Sequence, residues 1–150
     1  MKAFLLSLTA SMFLTASSVA AQEVVLECGG PARLDSIVEP WSSSTRTFAN
    51  GKIRVVELDT GEPACCSFHL AILALDPNNE LGFRQCVTIS DGAEWTGFQS
   101  VDLKRTKSSY DAGRGLLLTV PVERYVDGIR SNKGEIRVRI NQATGAITLE

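Results

Sequence analysis

The sequence predicts an all-β domain, built as an antiparallel sandwich or a small closed barrel of about eight to ten short strands. Two observations support this prediction. Turn signals such as Asn50-Gly51, Asp91-Gly92 and Thr144-Gly145 recur at short intervals along the 150 residues. Between them lie runs rich in Val, Ile, Leu, Thr and Phe, and no segment carries a convincing helical stripe of apolar residues.

These runs define the expected strands in chain order. They are Glu23–Cys28, Leu34–Val38, Thr45–Ala49, Lys52–Leu58, Ser67–Leu75, Phe83–Ser90, Gln99–Arg105, Leu116–Val126, Glu135–Asn141 and Ala146–Leu149. The segment Leu34–Trp41 is also compatible with one short turn of helix. Asn50-Gly51 is the strongest hairpin signal, because both residues tolerate a positive φ.

A second hairpin is expected to join residues 67–75 to residues 83–90, centred on residues 78–79. This register places Leu70 opposite Val87 and Phe68 opposite Ile89, so that apolar side chains meet on one face. The other face of residues 67–75 is also largely apolar. We therefore expect a central strand that is covered on both sides.

The last strands have simpler patterns. Ile136, Val138 and Ile140 alternate with charged residues, which predicts one core face and one wet face. Leu116, Leu118, Val120 and Val122 alternate in the same way. Pro121 belongs to the other face of this strand, where a proline suggests an edge position or a bulge.

Residues 1–21 have the pattern of a secretory signal peptide. A short positive start is followed by an apolar run and then by small residues, with cleavage motifs ending at Ala20 and Ala21. An uncleaved membrane anchor is the alternative. We expect residues 22–150 to form a single β domain, located in the periplasm or secreted.

Charge and composition exclude some partners. The chain is 44% hydrophobic and 21% charged, which is typical of a globular protein. Without residues 1–21 it keeps 14 basic and 17 acidic residues, a net charge of about −3. We expect no nucleic-acid binding and, after signal cleavage, no membrane span.

The four cysteines predict a disulfide in an oxidising compartment. A Cys28–Cys86 bridge that leaves Cys65 and Cys66 reduced is favoured. The two interleaved pairings remain open, including one that joins Cys65 to Cys86. In extended chain, Cys65 and Cys66 would point to opposite faces, so a bridge between these neighbours is not expected.

The sequence contains few groups that could support catalysis. His69 is the only histidine, and a Cys86/His69 pair is the one weak candidate for nucleophilic chemistry. Cys65 and His69 are too far apart on a strand to share a zinc ion without further ligands. We expect no metal and no cofactor.

Five residues are candidates for a recognition surface. Trp41 and Trp95 lie in polar loops, where exposed tryptophans often anchor a partner, and the favoured alternative is that both cap the ends of the core. Lys104, Arg137 and Arg139 are candidates for an anion-binding patch, and a solvated edge guarded by basic residues is the alternative.

We therefore expect an exported, soluble and non-catalytic β domain that binds a protein or an envelope component, for example as an enzyme inhibitor. A hydrolase or transferase using Cys86 and His69 is one alternative, and an envelope structural subunit is another.

Overall fold

The computed structural model describes residues 22–126 and 130–150. Within them the chain is mostly β and forms two antiparallel sheets in one domain. Each sheet is built from one half of the sequence. The signal segment expected at residues 1–21 lies outside the described residues.

Sheet 1 contains the first five strands, in the order β1-β5-β4-β3-β2. They are β1 (Val24–Glu27), β2 (Thr45–Phe48), β3 (Ile53–Asp59), β4 (Phe68–Leu75) and β5 (Arg84–Ser90). Strands β2 to β5 follow one another as hairpins, and β1 pairs with β5 at the far edge. The hairpin expected at Asn50-Gly51 is present between β2 and β3.

Sheet 2 contains the other five strands, in the order β10-β9-β8-β6, with β7 also paired to β8. They are β6 (Ser100–Val101), β7 (Lys107–Asp111), β8 (Gly115–Val126), β9 (Arg130–Ile140) and β10 (Ile147–Leu149). The long β8–β9 ladder carries the inward rows that begin at Leu116 and Ile136.

One buried cluster joins the two sheets. It takes Ile53, Leu70 and Ile89 from sheet 1 and Leu118 and Val138 from sheet 2, all fully buried. These residues alternate along their strands with side chains on the outer faces, as the period of two requires. Burial of this apolar surface is the main force that holds the sheets together.

An ion-pair cluster closes one end of this core. Arg124 lies near the end of β8 and donates to Asp91, which follows β5, at 2.7 Å and to Glu23, which precedes β1. Its guanidinium also lies 5.4 Å from the centre of the Phe98 ring. Arg124 therefore connects sheet 2 to two segments of sheet 1.

Residues 29–44, here called the crossover segment, run across the outer face of sheet 1 from β1 to β2, its two edge strands. The segment contains a 3-10 turn (Leu34–Ser36) and the short helix α1 (Trp41–Ser44). The Val38 N–H donates to the Glu57 carbonyl oxygen, and Ile37 forms a single bridge with Leu58. The segment therefore covers part of this face and explains why β4 is apolar on both sides.

The predicted register of the second hairpin is wrong by two residues. Leu70 lies opposite Ile89, and Val87 lies opposite Ile72. The turn is longer than expected because Asp76 and Asn79 side chains accept backbone N–H groups within it. A slip of two residues leaves every side chain on its expected face, so the apolar pattern could not detect it.

Two other expected strands also differ. Residues 34–38 form the 3-10 turn and one bridge instead of a strand, and the segment expected at 99–105 is paired only at Ser100–Val101. Strand β7 was not predicted, because all five of its residues are exposed and its sequence lacks apolar alternation.

Candidate functional site

The candidate site is a pocket of about 320 Å³ between the crossover segment and the outer face of sheet 1. The floor is formed by neighbouring residues of β3 and β4. Val56 pairs with Ala71 and Arg54 with Leu73, and Leu58 also lines the pocket. In the next strand Cys86 lies opposite Leu73, so the Cys28–Cys86 bridge borders the floor.

The crossover segment supplies the roof. Ala32, Leu34, Ile37 and Trp41 line the pocket from this side. Leu34 is 77% exposed and Trp41 is 50% exposed, so both large apolar side chains lie at the rim and remain accessible. The Ser44 hydroxyl donates to the Val38 carbonyl oxygen at 2.5 Å and fixes the turn that carries Trp41.

Two arginines of sheet 1 lie beside the floor, one lining the pocket and the other an adjoining cavity. Arg54 lines the pocket and also a small adjoining cavity of about 130 Å³, which it shares with Leu73 and Arg84. The Arg84 guanidinium donates to the carbonyl oxygens of Lys52 at 2.8 Å and Gly51 at 3.1 Å. Within the described residues, neither arginine has a carboxylate at salt-bridge distance.

A third arginine, Arg33, lines the roof but is already paired. Its guanidinium contacts both oxygens of Asp35, at 2.9 Å and 2.5 Å. The hydrogen bond to Arg33 lowers the pKa of the Asp35 carboxyl. This pair adds no net charge to the pocket.

His69 is buried on the same outer face, beyond the floor residues. Its Nδ1 lies 2.9 Å from the Ser90 hydroxyl oxygen. Burial lowers the pKa of the imidazole to about 4, against a weaker opposite effect of Asp59. A neutral, hydrogen-bonded histidine in this position supports packing.

The structure does not bring together the weak catalytic candidates Cys86 and His69. Cys86 lies opposite Leu73, four residues along β4 from His69, a separation of about 13 Å along a strand. Its sulfur is also bonded to Cys28. The predicted register, with Leu70 opposite Val87, would place Cys86 opposite Ala71 and so diagonally next to His69. The observed shift of two residues moves Cys86 away from His69.

The cysteines form two bridges. Cys28 is joined to Cys86, the pairing favoured from the sequence, with Cα atoms 5.3 Å apart. The expectation that Cys65 and Cys66 stay reduced is wrong, because they are joined to each other. Neighbouring side chains point to opposite faces only in extended chain. Strand β4 begins at Phe68, after the two cysteines, and Cys66 has a φ of +72°, so the chain is not extended there.

The two tryptophans have different environments. Trp41 lies at the rim of the pocket. Trp95 packs its ring on the turn that begins the crossover segment, where a Cβ added to Gly30 would lie 2.9 Å from the indole. Trp41 is therefore accessible to a ligand, whereas the side chain of Trp95 is partly covered by Gly29 and Gly30.

The basic candidates lie away from the pocket. Arg137 and Arg139 project from the outer face of sheet 2, and both contact Glu150, at 3.7 Å and 3.0 Å. The hydrogen bond from Arg139 lowers the pKa of the Glu150 carboxyl. Lys104 is exposed in the loop between β6 and β7. Burial opposes ionisation of the nearby Asp102 carboxyl, but hydrogen bonds from Arg105, with a smaller contribution from the charge of Lys104, lower its pKa.

Glu57 is a half-buried acidic group that sequence reasoning missed. It shares the inward phase of Ile53 and Val55 on β3. Burial, together with the nearby Asp102 carboxylate, raises the pKa of Glu57 to about 7, although Lys104 opposes the shift. The alternation of residues along Lys52–Leu58 places Glu57 on the inward face, and this was the signal in the sequence.

Within residues 22–126 and 130–150, no cluster of three His, Cys, Asp or Glu side chains is arranged to hold a metal ion. In the same part of the chain, no helix has the length and hydrophobicity that a membrane span requires. No protein-family model, no curated protein and no solved structure matches this chain.

Proposed function

We propose that this protein is an exported, non-catalytic binding domain that holds the apolar part of a small envelope ligand in the pocket under the crossover segment. One observation carries the proposal. The pocket has a largely apolar lining, a size in the range of small-ligand sites, and two accessible large apolar side chains, Leu34 and Trp41, at its rim.

The surroundings of the pocket support binding in preference to catalysis. His69, the only histidine, is buried beside Ser90 with a depressed pKa. The Cys86 sulfur is held in a disulfide. A nucleophile needs an adjacent base, and these two groups are arranged for structure instead.

The proposal includes export and a sandwich architecture. Two disulfides suit an oxidising compartment such as the periplasm or the exterior of the cell, and the signal pattern of residues 1–21 agrees with this. The mature chain then begins at Ala21 or Gln22, which N-terminal sequencing of the exported protein would test. The shared core between the two sheets favours a sandwich over a closed barrel.

A second candidate function is binding to a protein through the β4–β5 loop, which would suit an inhibitor. Leu81 is 79% exposed and Phe83 is 62% exposed. The Asn79 side chain accepts the N–H groups of both residues, so the loop is held in place before a partner arrives. Such preorganised apolar side chains are typical of interface anchors.

A matched pair of substitutions tests whether a small ligand binds at the pocket. Leu34→Asp places a charge at the pocket rim, and Leu81→Asp places one at an equally exposed site in the β4–β5 loop. The probe is 1-decanol, and its binding is followed by tryptophan fluorescence and calorimetry. We expect saturable binding that Leu34→Asp weakens about tenfold or more and that Leu81→Asp leaves unchanged.

The opposite results would contradict the proposal. Absence of saturable decanol binding to the wild-type protein would refute the small-ligand function. Equal weakening by both substitutions would show that binding is not at the pocket. The fluorescence change should also disappear in Trp41→Phe, since this indole is the one at the rim.

A further inference from the structure

We propose that the ligand carries an oxyanion group at the end of its apolar part, and that Arg54 and Arg84 bind this group. The inference rests on the proposed function, because it concerns the same pocket. It specifies the ligand as a small anionic amphiphile instead of a neutral apolar molecule.

The positions of the two arginines support this assignment. Arg54 on β3 lies opposite Leu73 on β4, and Leu73 lies opposite Cys86 on β5. The three residues therefore form one line across the sheet, which ends at the Cys28–Cys86 bridge. It lines the apolar pocket on one side and, with Leu73 and Arg84, the adjoining cavity on the other. A ligand whose apolar part lies over the floor would therefore end beside these two guanidinium groups.

The charges of Arg54 and Arg84 are uncompensated in the described part of the chain. Six other arginines there form ion pairs with a carboxylate: Arg33, Arg105, Arg114, Arg124, Arg137 and Arg139. The Arg84 guanidinium is instead fixed by two backbone carbonyl oxygens, which orient the group without neutralising it. The chain as a whole has a net charge of −2, so the positive end of this pocket is a local feature.

The chemistry of arginine fits an oxyanion. Its planar guanidinium donates two parallel hydrogen bonds to a carboxylate or to a related group. Here it would do so next to an apolar wall, where water competes less well for those hydrogen bonds. An ammonium group at the same place would be repelled.

The pocket suits a small amphiphile better than a protein surface. A protein partner would need about 800 Å² of contact on each side, and the accessible apolar surface here consists of Leu34 and Trp41 at the rim of one 320 Å³ pocket. A single apolar chain can enter the space between the sheet and the crossover segment without a large interface.

The test compares three probes of equal chain length near neutral pH, each below its micelle concentration: decanoate, 1-decanol and decyltrimethylammonium. For the wild-type protein we expect decanoate to bind about tenfold more tightly than decanol, and the cation to bind most weakly. Arg54→Met should remove most of the decanoate preference and leave decanol affinity within about twofold. Arg84→Met should act in the same direction.

Two further variants make the test specific. Arg137→Met removes an exposed arginine on the outer face of sheet 2 and should change nothing. Arg54→Glu should invert the order, so that decyltrimethylammonium binds more tightly than decanoate. Thermal unfolding of each variant checks that the exposed substitutions leave the fold intact.

The failures of the two proposals are distinguishable. If none of the three probes binds, the proposed function fails. If decanol and decanoate bind equally, or if Arg54→Met weakens both equally, the pocket stands and the oxyanion inference is overturned.

Discussion

Glu57 and His69 should impose opposite pH dependences on stability, and one substitution should separate them. The folded structure favours the uncharged form of both groups, since His69 is buried and Glu57 is half-buried. Burial and Asp102 raise the pKa of Glu57 from 4.5 to about 7, and burial lowers the pKa of His69 from 6.5 to about 4. Each shift changes the number of protons bound by the folded chain relative to the unfolded chain.

For Glu57, the folded protein keeps its proton between pH 4.5 and about 7, whereas the unfolded chain loses it. Its contribution to stability is complete below pH 4.5 and is lost as the pH rises to about 7. The full shift corresponds to about 3 kcal/mol. Because this carboxyl is only half-buried, we expect about 2 kcal/mol.

For His69, the folded protein stays neutral while the unfolded chain gains a proton below pH 6.5. Stability is therefore complete above pH 6.5 and is lost as the pH falls towards about 4, by about 3 kcal/mol in total. Between pH 4.5 and 6.5 the two effects have opposite signs. Their contributions to the wild-type profile should largely cancel there.

Glu57→Gln keeps the shape of the protonated acid and removes its titration. We expect the variant to match the wild type near pH 4.5 and to exceed its stability by about 2 kcal/mol near pH 7. The assay is urea unfolding, followed by tryptophan fluorescence, at several pH values in this range. Glu62→Gln, in the exposed β3–β4 loop, is the control and should run parallel to the wild type. If the unfolding free energy of Glu57→Gln also changes with pH in parallel with that of the wild type, the reasoning is refuted.

Three further predictions concern stability in urea unfolding. Leu70→Ala should cost about 2–5 kcal/mol, since this side chain is fully buried between the sheets. Replacing Cys28 and Cys86 together by alanine should cost about 2–4 kcal/mol, because their bridge closes a loop of 58 residues. Arg124→Met should cost about 3 kcal/mol, because it leaves Asp91 buried without its partner, and Asp91→Asn in the same chain should recover part of the loss.

Each of these changes has a matched control. Leu81→Ala removes an exposed leucine and should cost little. Replacing Cys65 and Cys66 opens no chain loop, since they are adjacent, so a loss equal to that for Cys28 and Cys86 would contradict the loop argument. Arg105→Met breaks an exposed pair with Asp102. A similar loss there and at Arg124 would exclude burial as the cause.

The sequence predicted a mostly β, antiparallel fold because alternation and turn residues are local signals, and it left a sandwich and a closed barrel both open. It failed in the second hairpin because turn length, and not the apolar pattern, determines register there. Asp76 and Asn79 lengthen the turn through side-chain hydrogen bonds, which composition alone does not reveal. The Cys65–Cys66 bridge was missed for a similar reason, since a positive φ at Cys66 cannot be read from neighbouring residues.

The candidate site was only partly accessible to sequence reasoning. Trp41 was identified as a possible anchor from its polar loop. The pocket beneath it requires residues 29–44 to cross a whole sheet, which follows from the pairing of β1 with β5 instead of β2. Arg54 and Arg84 come from different strands, and only the register brings them to one cavity. Long-range pairing of this kind leaves no local signature.

The division of the chain into two halves has a consequence for its covalent integrity. Strands β1–β5 end at Ser90 and β6 starts at Ser100, so the backbone passes between the sheets once. Both disulfides lie within residues 28–86, and neither ties one sheet to the other. A single proteolytic cut between Ala93 and Glu94 would therefore leave two polypeptides held together by non-covalent contacts alone: the shared core, the Arg124 ion pairs, and hydrogen bonds such as those from Arg46 to the carbonyl oxygens of Leu103 and Thr106. Denaturant would separate these fragments without any reductant.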